Sequence, residues 1–442
     1  MNMTRKRAEE LLSLAMQGGR ADEVFAVLRS AEGSVFRLAD NLPSHPVFSV
    51  DASLQVTVRV GKQYMTVQTN DLSDEGVRLA VQRAVERAAY MPVSEQVYSF
   101  PGAADALAPV LAADPFSLTD GIDPDLLRET IDRVRSANMR AAGSIAAIET
   151  TLSVASSHGL FLHQPSTLFH AQVRVYTGDG WSTGFAEYYD MQLHREKLLS
   201  AVELAVQKCD AWKNPSPVKP SRMTTVFEPR ALADMLQHLL PQFAQRAIKE
   251  DQSFLRRLDG SSFAGSKLFD ERINLRSDPT SPLLPSMPFT AEGVPVHPAT
   301  WVRNGVIEDV MRDRFEVRES GGTPVATPTN LIMDGGGSSV QDLIAGVSSG
   351  LLVSGFAQLS VVDPKNCLLT GSTRDGLYAI EDGKITKGVR NLLIRETPVY
   401  LFKEIEDLTA AEAVSTTGSY FPMLLPHIRV KDVLYGASTG MI

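Results

Sequence analysis

The sequence predicts an α+β protein built as two domains, and three observations carry that prediction. Leu54, Val56, Val58 and Val60 alternate strictly with polar residues, as a half-buried strand requires, whereas Val77, Ala80, Val81, Ala84, Val85 and Ala88 recur at helical spacing. The 442 residues exceed one ordinary core, since a domain takes roughly 100–200 residues. Between the halves lies Lys213-Asn214-Pro215-Ser216-Pro217-Val218-Lys219-Pro220, whose three prolines favour an extended connector. The expected units are 1–212, an α+β domain of antiparallel hairpins with packed helices, and 221–442, a strand-rich domain with one long helix, joined by the linker 213–220.

Ala8, Leu11, Leu12 and Ala15 form an apolar stripe that predicts a helix from Arg7 to Gln17, ended by Gly18-Gly19. A strand follows at Glu23–Leu28. The alternating run at 54–60, a turn at Gly61-Lys62 and a return to Thr69 make a hairpin with one buried face. Ser73 suits the N-cap of the next helix, because a hydroxyl can accept from the unsatisfied first N–H groups; that helix ends near Tyr90-Met91-Pro92 and can lie across the hairpin. After a loop rich in Pro, Ala and Asp, Asp123 caps a helix with Pro124 at its first position, where the missing N–H costs nothing, and Leu127, Ile131 and Val134 face inward. Strand pairs between Ile145 and Tyr189 turn at Ser156-Ser157-His158-Gly159 and Thr177-Gly178-Asp179-Gly180, and a helix from Arg195 to Trp212 reaches the linker.

Past the linker, a strand at Thr224–Phe227 leads into a long helix from Pro229 to the region of Glu250, which Pro241 is expected to kink. Short strands and glycine turns dominate the rest. Trp301-Val302-Arg303 turns through Asn304-Gly305 into Val306-Ile307, and Leu377-Tyr378-Ala379-Ile380 turns through Glu381-Asp382-Gly383 into Lys384-Ile385.

A net charge of −9 argues against a nucleic-acid surface, because phosphate binding needs clustered Lys and Arg. The basic run Arg5-Lys6-Arg7 passes at once into Ala8-Glu9-Glu10, which argues against a secretory apolar segment and against a basic arm. Leu351 to Val362 is interrupted by Ser354, Gly355, Gln358 and Ser360 and falls short of the roughly 20 apolar residues of a membrane-spanning helix. Cys209 and Cys367 lie far apart without a C-x-x-C spacing, so neither a disulfide framework nor a zinc ribbon is expected, and a reducing cytoplasm fits.

Chemistry-bearing motifs are sparse. The eight histidines include no H-E-x-x-H or H-x-H pair, and the densest group, His158, His163 and His170, falls on a turn and its flanking strands, where neighbouring side chains diverge. Gly346-Val347-Ser348-Ser349-Gly350 formally matches a nucleophile elbow, but a helix precedes it and the strand Leu351–Val353 follows, the reverse of the required order. Gly335-Gly336-Gly337-Ser338-Ser339 lacks the lysine of a phosphate loop and reads as a turn before a helix at Val340–Val347. Cys367 has no histidine nearby in sequence and reads as a small hydrophobe. Turn chemistry by itself accounts for Glu292-Gly293 and Arg374-Asp375-Gly376. From the residues alone the chain is a soluble two-domain protein with no evident active site.

Several second-half segments resemble the TldD/PmbA family of peptidases: Asp278-Pro279, Phe289-Thr290-Ala291-Glu292-Gly293-Val294-Pro295, and Trp301-Val302-Arg303-Asn304-Gly305-Val306-Ile307. The linker running into Thr225-Val226-Phe227-Glu228-Pro229, then Gly350-Leu351-Leu352-Val353, Thr370-Gly371-Ser372 and Ile380-Glu381-Asp382-Gly383-Lys384-Ile385, are similar to other family segments, as are the amino-terminal hairpin and its alanine-rich helix. Active members carry H-E-x-x-x-H on the helix after the linker, two histidines and a later cysteine holding zinc and the glutamate acting as general base. Here that helix has only His238. As the first histidine, it would leave Leu239 for the glutamate and Phe243 for the second histidine; as the second, Ala233 and Asp234 would stand for the first histidine and the glutamate. The closing segment Gly418-Ser419-Tyr420-Phe421-Pro422 through Val430 has no cysteine, and Cys367 lies too early.

The resemblance therefore implies a PmbA (TldE)-type subunit without catalytic or metal residues and without a cofactor of its own. Its implied partner is a TldD-like zinc subunit, with which it would enclose a chamber for unfolded or leader peptides. The expected contacts with peptide or partner are Glu292, Gly293, Thr370, Gly371, Arg374, Asp375 and Gly376. No nucleic acid and no membrane are expected as partners. The alternatives are a homodimer when isolated, a peptidase acting alone through another site, and a regulatory subunit of the gyrase-modulator kind that binds protein and not DNA.

Overall fold

The computed structural model describes residues 3–17, 19–43, 47–105, 122–180, 182–415 and 421–437. Of the expected elements, Gly18, the first of the two helix-ending glycines, and Gly418-Ser419-Tyr420 of the closing segment lie outside the described residues. The first half runs α1 (Arg5–Met16), β1 (Glu23–Ala39), β2 (Leu42–Pro43), β3 (Val47–Val60), β4 (Gln63–Thr69), α2 (Asp74–Ala88), α3 (Pro124–Ser136), β5 (Arg140–Ser156), β6 (Phe161–Tyr176), β7 (Thr183–Asp190) and α4 (Arg195–Ala211). Its strands form one antiparallel seven-stranded sheet in the order β4-β3-β1-β5-β6-β7, with β2 on β1.

Local chemistry sets the helix starts. Ser73 accepts from the Gly76 N–H at 3.1 Å, and Asp123 accepts from the Asp125 N–H at 2.8 Å with Pro124 behind it. Leu11 and Leu12 of α1 and Val77 and Val81 of α2 pack on Ala26, Leu28, Leu54 and Val56, while α3 and α4 cover Ile145, Phe169 and Val173. β1 continues past the expected end at Leu28 to Ala39, because β3 and β5 pair with it on both sides. Those neighbours supply its backbone partners where its own side chains no longer alternate. β5 likewise begins at Arg140, before the expected Ile145.

The second half runs β8 (Arg222–Phe227), α5 (Pro229–Leu239), α6 (Gln245–Lys249), β9 (Leu275–Ser277), β10 (Ala299–Arg303), β11 (Val306–Ile307), α7 (Arg314–Ser320), β12 (Leu331–Met333), α8 (Val340–Ala345), β13 (Ser349–Val353) and β14 (Phe356–Asp363). It continues through β15 (Leu368–Thr373), β16 (Leu377–Glu381), β17 (Lys384–Gly388), β18 (Leu393–Glu396), α9 (Pro398–Leu401), β19 (Ile405–Leu408), β20 (Glu412–Ser415), β21 (Pro422–Leu425) and β22 (Ile428–Gly436). A six-stranded sheet has the order β11-β10-β9-β12-β21-β20; a nine-stranded sheet has the order β14-β15-β18-β22-β8-β13-β16-β17, with β19 on β22.

α5 is buried nearly all round, against Phe227, Trp301, Met333, Val353 and Val430 among others. The expected long helix is interrupted here: α5 stops at Leu239, a 3-10 turn spans Leu240–Phe243, and α6 restarts at Gln245. Pro241 cannot donate to the carbonyl of Gln237 and its ring crowds that carbonyl, so the helix ends instead of bending. The two halves are bonded together. Trp212 Nε1, at the end of α4, donates to the carbonyls of Leu377 at 3.0 Å and Val389 at 2.9 Å, and the linker residue Ser216 exchanges backbone bonds with Gly388 and Arg390. Among the described residues no helix is long and apolar enough to cross a membrane.

Candidate functional site

The start of α5 opens on a cleft of about 580 Å³ between the two halves, walled by β7 and α4 on one side and by α8 and β20 on the other. Charged side chains are drawn in from distant parts of the chain. Glu228, just before α5, meets Lys208 Nζ of α4 at 2.6 Å, and both are largely buried. Burial opposes ionisation of Glu228, yet the adjoining ammonium outweighs it and holds the carboxyl below its ordinary range. His427 lies near Glu412, Nδ1 to Oε1 3.8 Å, and burial pushes its imidazole pKa down.

Arg230, on the first turn of α5, stacks on Phe185 at 3.9 Å and reaches Asp375 Oδ2 at 3.3 Å. Asp375 also accepts two bonds from Arg174 of β6, each 2.8 Å, although it is only 3% exposed. Burial would raise its pKa, but Arg174, with Arg230 and Arg374, holds it low. This fork joins the first sheet to the second half, and Arg174 meets Asp375 in the bidentate geometry in which a buried charge can be tolerated.

The helix positions that the family resemblance reserves for zinc do not form a metal site. Ala233 offers a fully buried methyl group. Asp234 is 4% exposed, its Oδ2 accepts from the Phe356 N–H at 3.1 Å, and burial pushes its pKa up to about 6. In the other register Leu239 and Phe243 are both buried in the apolar core. Burial lowers the pKa of His238, whose carbonyl instead lies 3.9 Å from Cys367 Sγ. Among the described residues no group of three His, Cys, Asp or Glu converges as ligands. Zinc needs three or four protein ligands, so this donor set does not fit it.

The expected contact residues fall in separate places. Glu292 and Gly293 occupy a turn in which the Gly293 N–H donates to Thr290 O; Gly293 has φ +74, and a Cβ there would meet Leu160 at 2.7 Å. Glu292 lines a different groove, of about 840 Å³, with Phe25, Tyr64, Phe100 and Arg318. Thr370 and Gly371 lie on β15, where Thr370 Oγ1 donates to Ile394 O at 3.3 Å. Asp375, between Arg374 and Gly376, stands behind Arg230 at the cleft. Sequence reasoning missed Lys208, Glu228, Arg230, Glu412 and His427. The one available signal was Arg230, a lone cation among apolar residues at the start of a buried helix.

The remaining motifs are structural. Gly346 caps α8 and Ser349 opens β13, so the Gly346–Gly350 run is a helix-to-strand turn. Ser339 caps α8 in a reciprocal box with Asp342. Cys367 is fully buried and its thiol pKa is pushed up to about 12. His158 contacts Glu23 at 3.2 Å, His163 contacts Ser153 at 2.9 Å and His170 contacts Ser415 at 3.3 Å, so the three histidines have different partners.

Residues 220–436 match the family described as the PmbA/TldA metallopeptidase C-terminal domain. A comparison with curated proteins finds no match. Among solved structures, TldE from Thermococcus kodakarensis superposes with a TM-score of 0.82 at 21% identity, over 98% of this chain and 100% of that one. A protein named as a modulator of DNA gyrase from Bacteroides thetaiotaomicron gives 0.78 at 16% identity, over 99% and 100%. Another so named, from Thermotoga maritima, gives 0.77 at 15%, over 97% and 99%. At these identities the likeness establishes the two-domain α+β fold.

Proposed function

Because the chain belongs to the PmbA/TldD family, a membership carried by its carboxy-terminal domain, we propose that it is the non-metal, TldE-type subunit of a heteromeric metallopeptidase. In this reading a TldD-like partner holds zinc and performs the hydrolysis of unfolded or leader peptides. This chain contributes walls to the chamber and takes no cofactor itself. The observation that carries the reading is the state of α5, where His238 is the one histidine of the metal-binding pattern left in either register and Asp234 is engaged by the Phe356 amide. That carboxyl is 4% exposed and does not line the cleft, which supports a structural part for it. The residues at the mouth of α5 hold geometry instead: Lys208 with Glu228, and Arg230 with Asp375, fix the helix start against the first sheet.

Elemental analysis of the purified chain, alone and after mixing with a metal-bearing homologue from the same organism, tests the reading. The expected result is no zinc in the isolated chain, and a stable complex with zinc and raised peptidase activity after mixing. Stoichiometric zinc in the isolated chain, or no complex, overturns it.

A further inference from the structure

β7 borders the cleft, and β3 and β4 form the opposite margin of the seven-stranded sheet. β4 covers β3 only from Leu54, opposite Thr69, to Val60, opposite Gln63, so residues 47–53 have β1 as a neighbour on one side and none on the other. The register on β1 is unbroken from Arg59 opposite Glu23 to Val47 opposite Val35, so one alternation runs the length of the strand. Gly61-Lys62 closes a two-residue hairpin, whose flanking pair, Val60 and Gln63, exchanges both backbone bonds. The Arg59 carbonyl accepts from the Asp22 N–H at 2.9 Å on the side of β1. Even-numbered residues of β3 therefore turn N–H and C=O outward, and at Phe48, Val50 and Ala52 no β4 residue meets them. Among the described residues none bonds those outward groups.

This segment lacks the devices that keep a strand edge to itself. Residues 47–53 include no lysine, arginine or proline, and Asp51 is their one charge. Phe48 and Val50 stand 65% and 48% exposed, on the face where Leu54, Val56 and Val58 of the same strand are covered by α1 and α2. An unpaired apolar edge is a template for a further strand, and this one is complementary to itself. Antiparallel pairing about a two-fold axis at Val50 puts Val50 opposite its own copy, Phe48 opposite Ala52 and Ser49 opposite Asp51. Phe48, Val50 and Ala52 are the residues whose backbone groups point outward, so this register satisfies all of them at once, with about six bonds across the seam. On one face the large Phe48 ring meets the small Ala52; on the other the Ser49 hydroxyl meets the Asp51 carboxylate, and no like charges stand opposite.

We propose that a second copy of this chain docks on the free edge of β3, the two edges pairing antiparallel about Val50 so that two seven-stranded sheets become one continuous sheet. A two-fold contact of this kind uses the same segment on both copies and leaves no edge over, so assembly stops at the dimer. The cleft lies at the β7 end of each sheet and stays clear of the seam. The proposal goes beyond the reading of the chain as a peptidase subunit, and neither requires the other.

Sedimentation equilibrium on the full chain tests this and should show a dimer. Val50→Pro removes the outward N–H at the axis, and Val50→Lys brings two ammonium groups together there; each should raise the dimer Kd at least about tenfold, with circular dichroism to confirm folding, because an unpaired edge tolerates both residues. Cross-linking reads the register. Both native cysteines, Cys209 and Cys367, are buried, so introduced thiols react alone. Val50→Cys should form an intermolecular disulfide under copper–phenanthroline oxidation, since the Cα atoms of such a pair stand about 5.5 Å apart. Phe48→Cys and Ala52→Cys should cross-link when mixed, and neither should do so by itself. A chain that is monomeric at every concentration, a dimer indifferent to either Val50 substitution, or cross-links in any other pattern overturns the proposal. A dimer with this seam that gains no peptidase activity on mixing with a metal-bearing homologue retains the proposal and removes the subunit reading.

Discussion

Asp234 occupies a position that, in one register of the family motif, belongs to a catalytic glutamate, and its surroundings give it the opposite character. Its side chain is buried, and that burial moves its pKa up to about 6, against about 3.9 in an unfolded chain. The folded state therefore keeps a proton that the unfolded state releases. The favourable contribution is complete below about pH 4 and is lost as pH rises through 6. Urea titrations of the wild type and of Asp234→Asn, which keeps an acceptor for the Phe356 N–H but cannot ionise, should diverge between pH 4 and 7. The variant should gain up to about 3 kcal/mol relative to wild type across that window. Parallel curves would show that Asp234 ionises equally easily folded and unfolded. Asp375 behaves inversely: its pKa is held low, so its contribution is present above the unfolded value and is lost as acid protonates it. The sequence displayed both aspartates without distinguishing them, because the difference lies in Arg174 and Phe356, which stand 201 and 122 residues away.

At the scale of elements, the run Gly346–Gly350 shows how a motif can match by residue type and differ in purpose. Gly350 lies where parallel strands β8 and β13 approach, and a Cβ there would stand 2.2 Å from the Thr224 carbonyl oxygen. Ser348 is exposed and its backbone carbonyl accepts from the Asp382 N–H at 2.8 Å. Gly350→Ala should cost about 2–4 kcal/mol or prevent folding, while Ser348→Ala should stay within about 0.5 kcal/mol, both read by chemical denaturation. A destabilised Ser348→Ala with an unaffected Gly350→Ala would reverse the assignment. Capped helices were legible from the chain alone, since Ser73 and Asp123 act on residues two or three positions away. The extension of β1 to Ala39 was not, because its pairing with β5 reaches from Phe25–Ser156 to Leu38–Gly143 and the run itself does not alternate.

For the whole molecule, the link between halves is a fork of charges beside an indole. Arg174 and Arg230 converge on Asp375, while Trp212 bridges the carbonyls of Leu377 on β16 and of Val389 just past β17. Asp375→Asn leaves two guanidinium groups without their counter-charge in a buried site, a loss of about 3–5 kcal/mol. Scanning calorimetry should show one transition for the wild type and a lower or divided transition for the variant. An unchanged melting profile would show that the fork adds nothing to the hold between the halves.

What the sequence by itself determined is local: alternation marks strands, the apolar stripe and its cap mark helices, prolines mark the connector, and the absent H-E-x-x-x-H pattern follows from reading residue types. These follow from backbone geometry and from neighbours within a turn, which any stretch of chain carries with it. Only the tertiary structure decided that Lys208, Glu228, Arg230, Glu412 and His427 share one cleft, that Asp375 anchors it, and that Glu292 faces another groove. Charge pairing and burial depend on which distant surfaces meet. The helix α4 delivers Lys208 and the last strands deliver Glu412 and His427, and no spacing along the chain encodes that meeting.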